Sequence, residues 1–399
     1  MKKVLFLIHT LQAGGAEKVL VDLVNALDKN KFDITVMTVC DFGDLKYQLN
    51  KNIKYRSIFK FKFLKKITGN KKYGQTINTS TKKNLLKEFL INCYKSFWRI
   101  ANLDKFYRKH IKEEYDIEVA FLEGIPAKII SHSSNPKSKK VVWLHVDLIN
   151  ENKSECFFTS VDEQKQVYSA FDEIVCVSGV VKESFCKKYD FDGNRVKVIY
   201  NPINEKTIQK KSVEEITDLT KTNFTFCTVG RLAKQKGYDR LLRAVKRLND
   251  DNLACDIWII GVGVLEGELK KQKEKLGLSN VYFLGYKNNP YPYIKNADAF
   301  VCSSHAEGFS TSVSEAVVLG KPVVTTDCSG MREILGNNSE YGLICKNDEE
   351  SLYMGLRSMM DGVIYDDYCC KVAERKSMFN YERSVSEIEN FLMELVNEK

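Results

Sequence analysis

Short, unbroken apolar runs alternate with helix-patterned segments along most of this chain, and the alternation starts again past its midpoint. The first series is Val4–Ile8, Ile34–Val39, Ile117–Leu122, Val141–His145, Ile174–Val177 and Val196–Tyr200. The second is Phe224–Val229, Ile257–Ile260, Val281–Leu284, Phe300–Ser303 and Val323–Thr326. A strand covered on both faces has no reason to alternate polar and apolar residues, so continuous runs of this kind indicate parallel strands buried under helices. Helical periodicity fills the gaps, as in Val19, Leu20, Leu23, Val24 and Leu27, or in Leu241–Leu248 and Leu265–Leu276. Two βα series of roughly 200 residues each predict an α/β fold of two doubly wound, Rossmann-like domains facing across a cleft. The expected domains are residues 1–203 and 204–380, with a polar linker from Asn201-Pro202-Ile203 to Thr222. A last amphipathic helix within 381–399 (Val385–Val396) is expected to pack back on the first domain.

Composition narrows the class. The chain has 399 residues, 44% apolar and 28% charged, with six prolines, which excludes an extended disordered protein. No apolar stretch reaches the roughly 18 residues that a membrane-spanning helix needs. Met1-Lys2-Lys3 followed by Val4–Ile8 has the look of a signal peptide, but its apolar part is five residues long and ends at His9 before Gly14-Gly15. It reads as a first strand, and the protein as cytoplasmic. Twelve cysteines without any C-x-x-C pair are read as reduced core thiols, not as a zinc site or disulfide framework.

The net charge of +9 is unevenly placed. Lys51 to Lys112 holds 18 Lys and Arg against Glu88 and Asp104, so this window carries +16 and the remainder −7. Aromatic residues interleave with the cations. Phe59, Phe61, Phe63 and Leu64 alternate with Lys60, Lys62, Lys65 and Lys66; Leu85, Leu86, Phe89, Leu90, Tyr94 and Phe97 recur at helical spacing beside Lys82, Lys83, Lys87, Lys95 and Arg99. Such a window suits an anionic partner, with an anionic membrane surface favoured and an apolar stripe packed on the sheet as the alternative.

In doubly wound sheets, ligands bind where strand carboxyl ends meet helix N-termini. Gly14 and Gly15 follow the first strand, where paired glycines permit close backbone approach to a phosphate; a tight turn explains them equally. Gly230-Arg231-Leu232 and Gln235-Lys236-Gly237 follow the first strand of the second half, placing a guanidinium and an ammonium where a diphosphate would sit, or where surface cations would. Ser303 to Ala316 follows a buried strand and opens a helix. Glu307 falls in its loop and Glu315 in the first turn, facing one pocket, although Ser312-x-x-Glu315 also forms a capping box that needs no ligand. His145 ends its strand at the cleft edge and could bond a sugar, or be a satisfied structural histidine. Asp190-Phe191-Asp192 is a D-x-D pair, but it lies before a strand, at the wrong end for this site. G-x-G-x-x-G is absent after the first strand and fails at Gly261-Val262-Gly263, where Glu266 stands in the third position, which argues against a nicotinamide enzyme.

This ordered set resembles the retaining glycosyltransferases of the two-Rossmann-domain (GT-B) type in the large family 4. Gly14-Gly15-Ala16-Glu17, Asn201-Pro202, Gly230-Arg231-Leu232, Gln235-Lys236-Gly237 and the Glu307-x7-Glu315 pair match in order and spacing. Asn289-Pro290-Tyr291-Pro292-Tyr293, Gly320 to Val324 and Glu333 fit as well. The resemblance implies a metal-independent transferase without cofactor, moving a sugar from a nucleotide-sugar donor, UDP-linked, to a lipid-linked or saccharide acceptor of bacterial O-antigen or capsule assembly. Arg231 and Lys236 would neutralise the donor diphosphate, helped by backbone N–H groups through Gly308, Phe309, Ser310 and Thr311. Glu315 would hold the ribose, Glu307 the donor sugar, His145 the transferred sugar, and Gly14 and Gly15 phosphate or acceptor. The basic window 51–112 would face the inner leaflet, with no nucleic-acid partner. The alternatives are another two-Rossmann sugar enzyme, an epimerase or phosphorylase, and a polyanion-binding module built on the basic window.

Overall fold

The computed structural model describes residues 1–60 and 81–397, and for residues 81–87 the backbone alone. The expectations placed on Phe61, Lys62, Phe63, Leu64, Lys65 and Lys66 lie outside the described residues, as do those on the side chains of Lys82, Lys83, Leu85, Leu86 and Lys87. The described residues divide into two compact units, one holding those up to Pro202 together with those from Glu382 onward, the other holding Ile203–Tyr381.

The first unit is built on seven strands: β1 (Lys2–Ile8), β2 (Phe32–Cys40), β3 (Lys54–Phe59), β4 (Ile117–Ala120), β5 (Lys139–Leu144), β6 (Glu173–Cys176) and β7 (Val196–Val198). Their order is β3-β2-β1-β4-β5-β6-β7, every pair parallel. The second unit has β8 (Phe224–Val229), β9 (Cys255–Ile260), β10 (Val281–Gly285), β11 (Ala299–Cys302), β12 (Val323–Thr326) and β13 (Leu343–Cys345), ordered β10-β9-β8-β11-β12-β13 and again parallel. Each is a doubly wound sheet, as the two βα series predict. The strand order reverses between β1 and β4 and between β8 and β11. There the loops leave in opposite directions and open a crevice at the carboxyl ends.

The apolar runs form the strands because every residue from Val4 to Ile8 and from Cys255 to Ile260 is buried. In the second unit Phe226, Leu241, Leu242, Val245, Ile257, Ile259, Val301 and Leu356 share one core. Two edge strands escaped the apolar signal. β3 (KYRSIF) is half-exposed, with Lys54 bonded to Asp33 and Arg56 to Glu113, and β13 has only three residues, none fully buried. Edges are kept polar because an apolar edge would pair with other chains. The basic window thus contributes a strand to the sheet.

The expected linker is a correction of substance. Residues Glu205–Lys211 form a helix capped by the Asn204 side chain, which accepts from Thr207 N, and it packs on helices Tyr291–Asn296 and Thr311–Val318 inside the second unit. Polar composition here marks one solvated helix face around buried Ile208, not a free tether. The final helix, Tyr381–Asn397, buries Val385, Ile388, Phe391, Leu392 and Leu395. From Glu382 it belongs to the first unit, where Glu389 accepts hydrogen bonds from Asp28 N and Lys31 Nζ, both at 2.7 Å. All twelve cysteines are free thiols. Cys176, Cys227, Cys255 and Cys302 are buried, but Cys93 and Cys370 are exposed on helices, so the core-thiol reading holds for only part of the set.

Candidate active site

In the second unit, β8 ends at Val229 and leads through Gly230 and Arg231 into a single 3-10 turn, Lys234–Lys236, before helix Tyr238–Asp250. Gly237 joins turn and helix at φ +61°, and a Cβ on it would stand 2.1 Å from the Ser303 carbonyl oxygen. Only glycine permits both the left-handed conformation and that approach. The turn thereby lies against the carboxyl end of β11, and Lys236 Nζ reaches Glu307 Oε1 at 2.6 Å. The same oxygen accepts from Ser304 Oγ at 2.5 Å. Oε2 of Glu307 has no hydrogen-bond partner among the described residues, although the residue is only 9% exposed. Burial alone would lower the Lys236 pKa; the adjacent Glu307 carboxylate, with smaller contributions from Cys302 and Tyr238, outweighs that and raises it, so the ammonium stays charged.

Helix Thr311–Val318 opens this site from the other side. Its N-cap is Ser310, whose Oγ accepts from Val313 N, and not Ser312. Glu315 is accordingly released from the capping box that its spacing suggested. It lies two residues too far along for that role and is buried, with Oε1 accepting from the Tyr291 hydroxyl at 3.1 Å. The first-turn N–H groups of this helix, the part of its dipole that favours anions, sit just beyond Gly308 and Phe309. Arg231 is exposed, and its guanidinium makes no hydrogen bond or ion pair among the described residues. Lys236, Glu307 and Ser304 are thus shown in contact, Glu315 and Ser310 on the adjoining helix, and Arg231 at the end of the neighbouring strand.

The first unit places its candidates separately. Gly14 is the N-cap of helix Gly15–Ala26 in an extended conformation, with the Glu17 carboxylate folded over it. His145 follows β5, 9% exposed, its ring 4.8 Å from that of Phe121. Burial pushes its pKa down to about 3, and Nε2 has no hydrogen-bond partner, so the imidazole is neutral. Asp190 takes a left-handed conformation ending helix Gly179–Tyr189, and Asp192 accepts from Asn194 N at 2.9 Å. The Asp192 carboxylate serves the turn before β7 and the exposed Asp190 carboxylate faces Lys165 at 3.6 Å, both away from the strand carboxyl ends.

Sequence reasoning missed three groups. Glu123, after β4 at the switch point, accepts from His145 N at 3.2 Å, and burial raises its pKa. His9, after β1, bonds the Tyr94 hydroxyl at 2.9 Å. Arg240 lies under the Glu307 loop at 3% exposure. A signal for Arg240 existed: it sits four residues before Ala244 and next to Leu241, on the apolar side of its helix, where a cation is out of place.

Residues 13–207 match the family model "Glycosyltransferase Family 4", and residues 209–375 match "Glycosyl transferases group 1". The chain belongs to this glycosyltransferase family. Over 381 residues the glycosyltransferase is 28% identical to the Campylobacter jejuni N-acetylgalactosamine-N,N'-diacetylbacillosaminyl-diphospho-undecaprenol 4-alpha-N-acetylgalactosaminyltransferase, covering 94% of each chain. It is also 28% identical over 330 residues to the Escherichia coli UDP-Gal:alpha-D-GlcNAc-diphosphoundecaprenol alpha-1,3-galactosyltransferase, 75% of this chain and 81% of that one. Among solved structures, Anabaena HepE in complex with UDP-glucose aligns with a TM-score of 0.73 at 18% identity, over 99% of this chain and 100% of that one, a likeness of fold. The two parallel-sheet α/β units are those of the GT-B fold.

Proposed function

We propose that this glycosyltransferase moves a sugar, with retention of anomeric configuration, from a UDP-linked donor to a lipid-linked or saccharide acceptor in bacterial surface-polysaccharide assembly. The observation that carries the donor half is the Lys236–Glu307 contact beside the N-terminus of helix Thr311–Val318, at the switch point of the second sheet. An ammonium, a half-open carboxylate and helix N–H groups together match a diphospho-sugar: anion at one end, hydroxyls at the other. The names of the C. jejuni and E. coli relatives, both transferases acting on diphosphoundecaprenol-linked sugars, support the acceptor half.

In this reading the C1–O bond to the diphosphate breaks while an acceptor oxygen forms the new C1–O bond and passes its proton to the departing diphosphate. Negative charge develops on the leaving diphosphate. Lys236, Arg231 and the N–H groups at Phe309–Thr311 are fixed where that charge appears, in the role a metal ion fills in D-x-D transferases. Glu307 Oε2 takes donor-sugar hydroxyls, Glu315 the ribose hydroxyls, and neutral His145 the transferred sugar from the first unit. Gly14 and Gly15 bring backbone N–H groups to phosphate or acceptor.

The same proposal places the enzyme at the inner face of the cell membrane. No helix among the described residues is long and apolar enough to cross a membrane. Helix Thr81–Ile100 turns Tyr94 and Trp98 inward, onto Phe157 and Phe106, while Phe89 is 62% and Ile100 82% exposed, alongside Arg99. The expected stripe is thus split between core and surface. Exposed apolar side chains among cations suit an anionic bilayer surface.

Three measurements test this. Calorimetry against UDP- and GDP-sugars identifies the donor, and donor turnover by Arg231→Ala and Glu307→Gln tests the site; wild-type turnover in both variants overturns it. Flotation with phosphatidylcholine vesicles, with and without phosphatidylglycerol, tests the membrane half, which fails if the anionic lipid makes no difference.

A further inference from the structure

Arg240 stands in the first turn of helix Tyr238–Asp250, and all its partners are neutral oxygens. Nε and Nη2 donate to Ser303 O at 2.9 and 2.7 Å, Nη2 also to Ser304 O at 2.6 Å and Thr326 Oγ1 at 3.2 Å. Nη1 donates to Asn347 Oδ1 at 2.7 Å and Asn347 O at 3.2 Å. No carboxylate among the described residues pairs with it. A buried cation without a counter-ion is unfavourable unless its donors are all satisfied, and here the planar guanidinium satisfies them with carbonyls and side-chain oxygens. Burial accordingly lowers its pKa, without discharging a group of this basicity.

What the arrangement secures is the loop between β11 and its helix, which has no regular structure of its own from Ser303 to Ser310. Four consecutive carbonyls of this loop are tied from outside it. Those of Ser303 and Ser304 go to Arg240, that of His305 to Asn347 Nδ2 at 2.9 Å, and that of Ala306 to Gln235 Nε2 at 2.9 Å. Ser304 in turn presents its Oγ to Glu307. Arg240 therefore reaches the carboxylate through one intermediate, Ser304, while Asn347 braces both the Arg240 guanidinium and the adjacent His305 carbonyl.

We propose that Arg240 is a positioning residue for donor-sugar recognition: by fixing the Ser303–Ala306 backbone it aims Glu307 at the sugar, and so sets preference among nucleotide sugars and not affinity for the nucleotide. The proposal rests on Glu307 being the sugar's ligand. It predicts that the loss in an Arg240 variant is confined to the sugar part of the donor.

The test is calorimetry of UDP, UDP-glucose, UDP-galactose, UDP-N-acetylglucosamine and UDP-N-acetylgalactosamine, with GDP and GDP-mannose, on wild type, Arg240→Lys and Arg240→Met. The quantity read is the affinity for the preferred nucleotide sugar divided by that for its bare nucleotide. In Arg240→Met this ratio should fall about tenfold, the loss of one well-placed hydrogen bond to a charged group, while bare-nucleotide affinity stays within about threefold. Arg240→Lys, which keeps the charge but not the fork, should recover part of the ratio. Asn347→Ser, at an exposed position, should lower the ratio in the same direction and keeps the test alive if Arg240→Met does not fold. An unchanged ratio overturns the proposal, as does an equal loss of nucleotide and nucleotide sugar, the mark of a merely structural role. Wild type binding none of these ligands overturns the donor reading itself, which is a different result from wild type binding one of them with a ratio insensitive to Arg240.

Discussion

Lys236 Nζ lies 2.6 Å from Glu307 Oε1, although the two residues are 71 positions apart and leave different strands. The pair joins the group expected to meet a diphosphate to the group expected to meet a sugar. In the proposed donor complex the ammonium would be shared between a carboxylate and a phosphate.

That sharing makes the pair's energetics measurable. Both side chains are mostly buried, so removing one leaves the other poorly compensated. Lys236→Met and Glu307→Gln should each destabilise the fold, and the double variant should be more stable than their sum implies, with a coupling of about 1–3 kcal/mol. Urea denaturation of the four proteins checks this; additive losses would show that the contact contributes nothing.

Arg231 should behave in the opposite way. Its guanidinium is exposed and pairs with nothing among the described residues, so Arg231→Ala should leave stability within about 0.5 kcal/mol of wild type. Transfer should nevertheless drop on the order of 10²–10³-fold, as when one fixed donor to a developing charge is removed. A matched pair of melting and kinetic measurements decides it, and a drop in stability with little effect on rate would contradict the assignment.

Tyr291→Phe deletes the hydroxyl that donates to buried Glu315. Losing a hydrogen bond to a carboxylate costs about 1.5–3 kcal/mol, part of it felt at the ribose that Glu315 is proposed to hold. The affinity for UDP should weaken about tenfold, with a smaller change in the added contribution of the sugar. Intact UDP affinity in this variant would remove Glu315 from the nucleotide site.

Burial holds His145 down to about 3 and His9 to about 4, both below the ordinary 6.5. Each is neutral when folded and takes up a proton on unfolding once the pH falls below 6.5. Stability from this source is complete above about pH 6.5 and is lost as the pH falls toward the folded values, at about 1.4 kcal/mol per pH unit per proton. His145→Gln should reduce the slope of unfolding free energy between pH 6 and pH 4.5 by close to one proton. Identical slopes in variant and wild type would show that the imidazole is not buried as described.

How much of this was legible in the sequence follows from range. Eleven of the strands announced themselves as apolar runs, because burial on both faces imposes composition locally. β3 and β13 did not, since an edge strand is half-solvated and reads like a loop. Residues Glu205–Lys211 read as a tether because a short helix with one buried residue, Ile208, has no visible stripe. The cap of helix Thr311–Val318 was misplaced by two residues, since Ser310 and Ser312 are both good caps and only the path of the chain out of β11 selects between them.

The chain's own residues settled that two parallel sheets would form and that Arg231, Lys236, Glu307 and Glu315 would follow particular strands: local burial and turn chemistry act over a few positions. The three-dimensional fold alone chose their partners. Strand order β8-β11-β12-β13 is what brings Ser303, Thr326 and Asn347 around one guanidinium, and such meetings between residues 63 to 107 positions apart leave no periodic trace in a sequence.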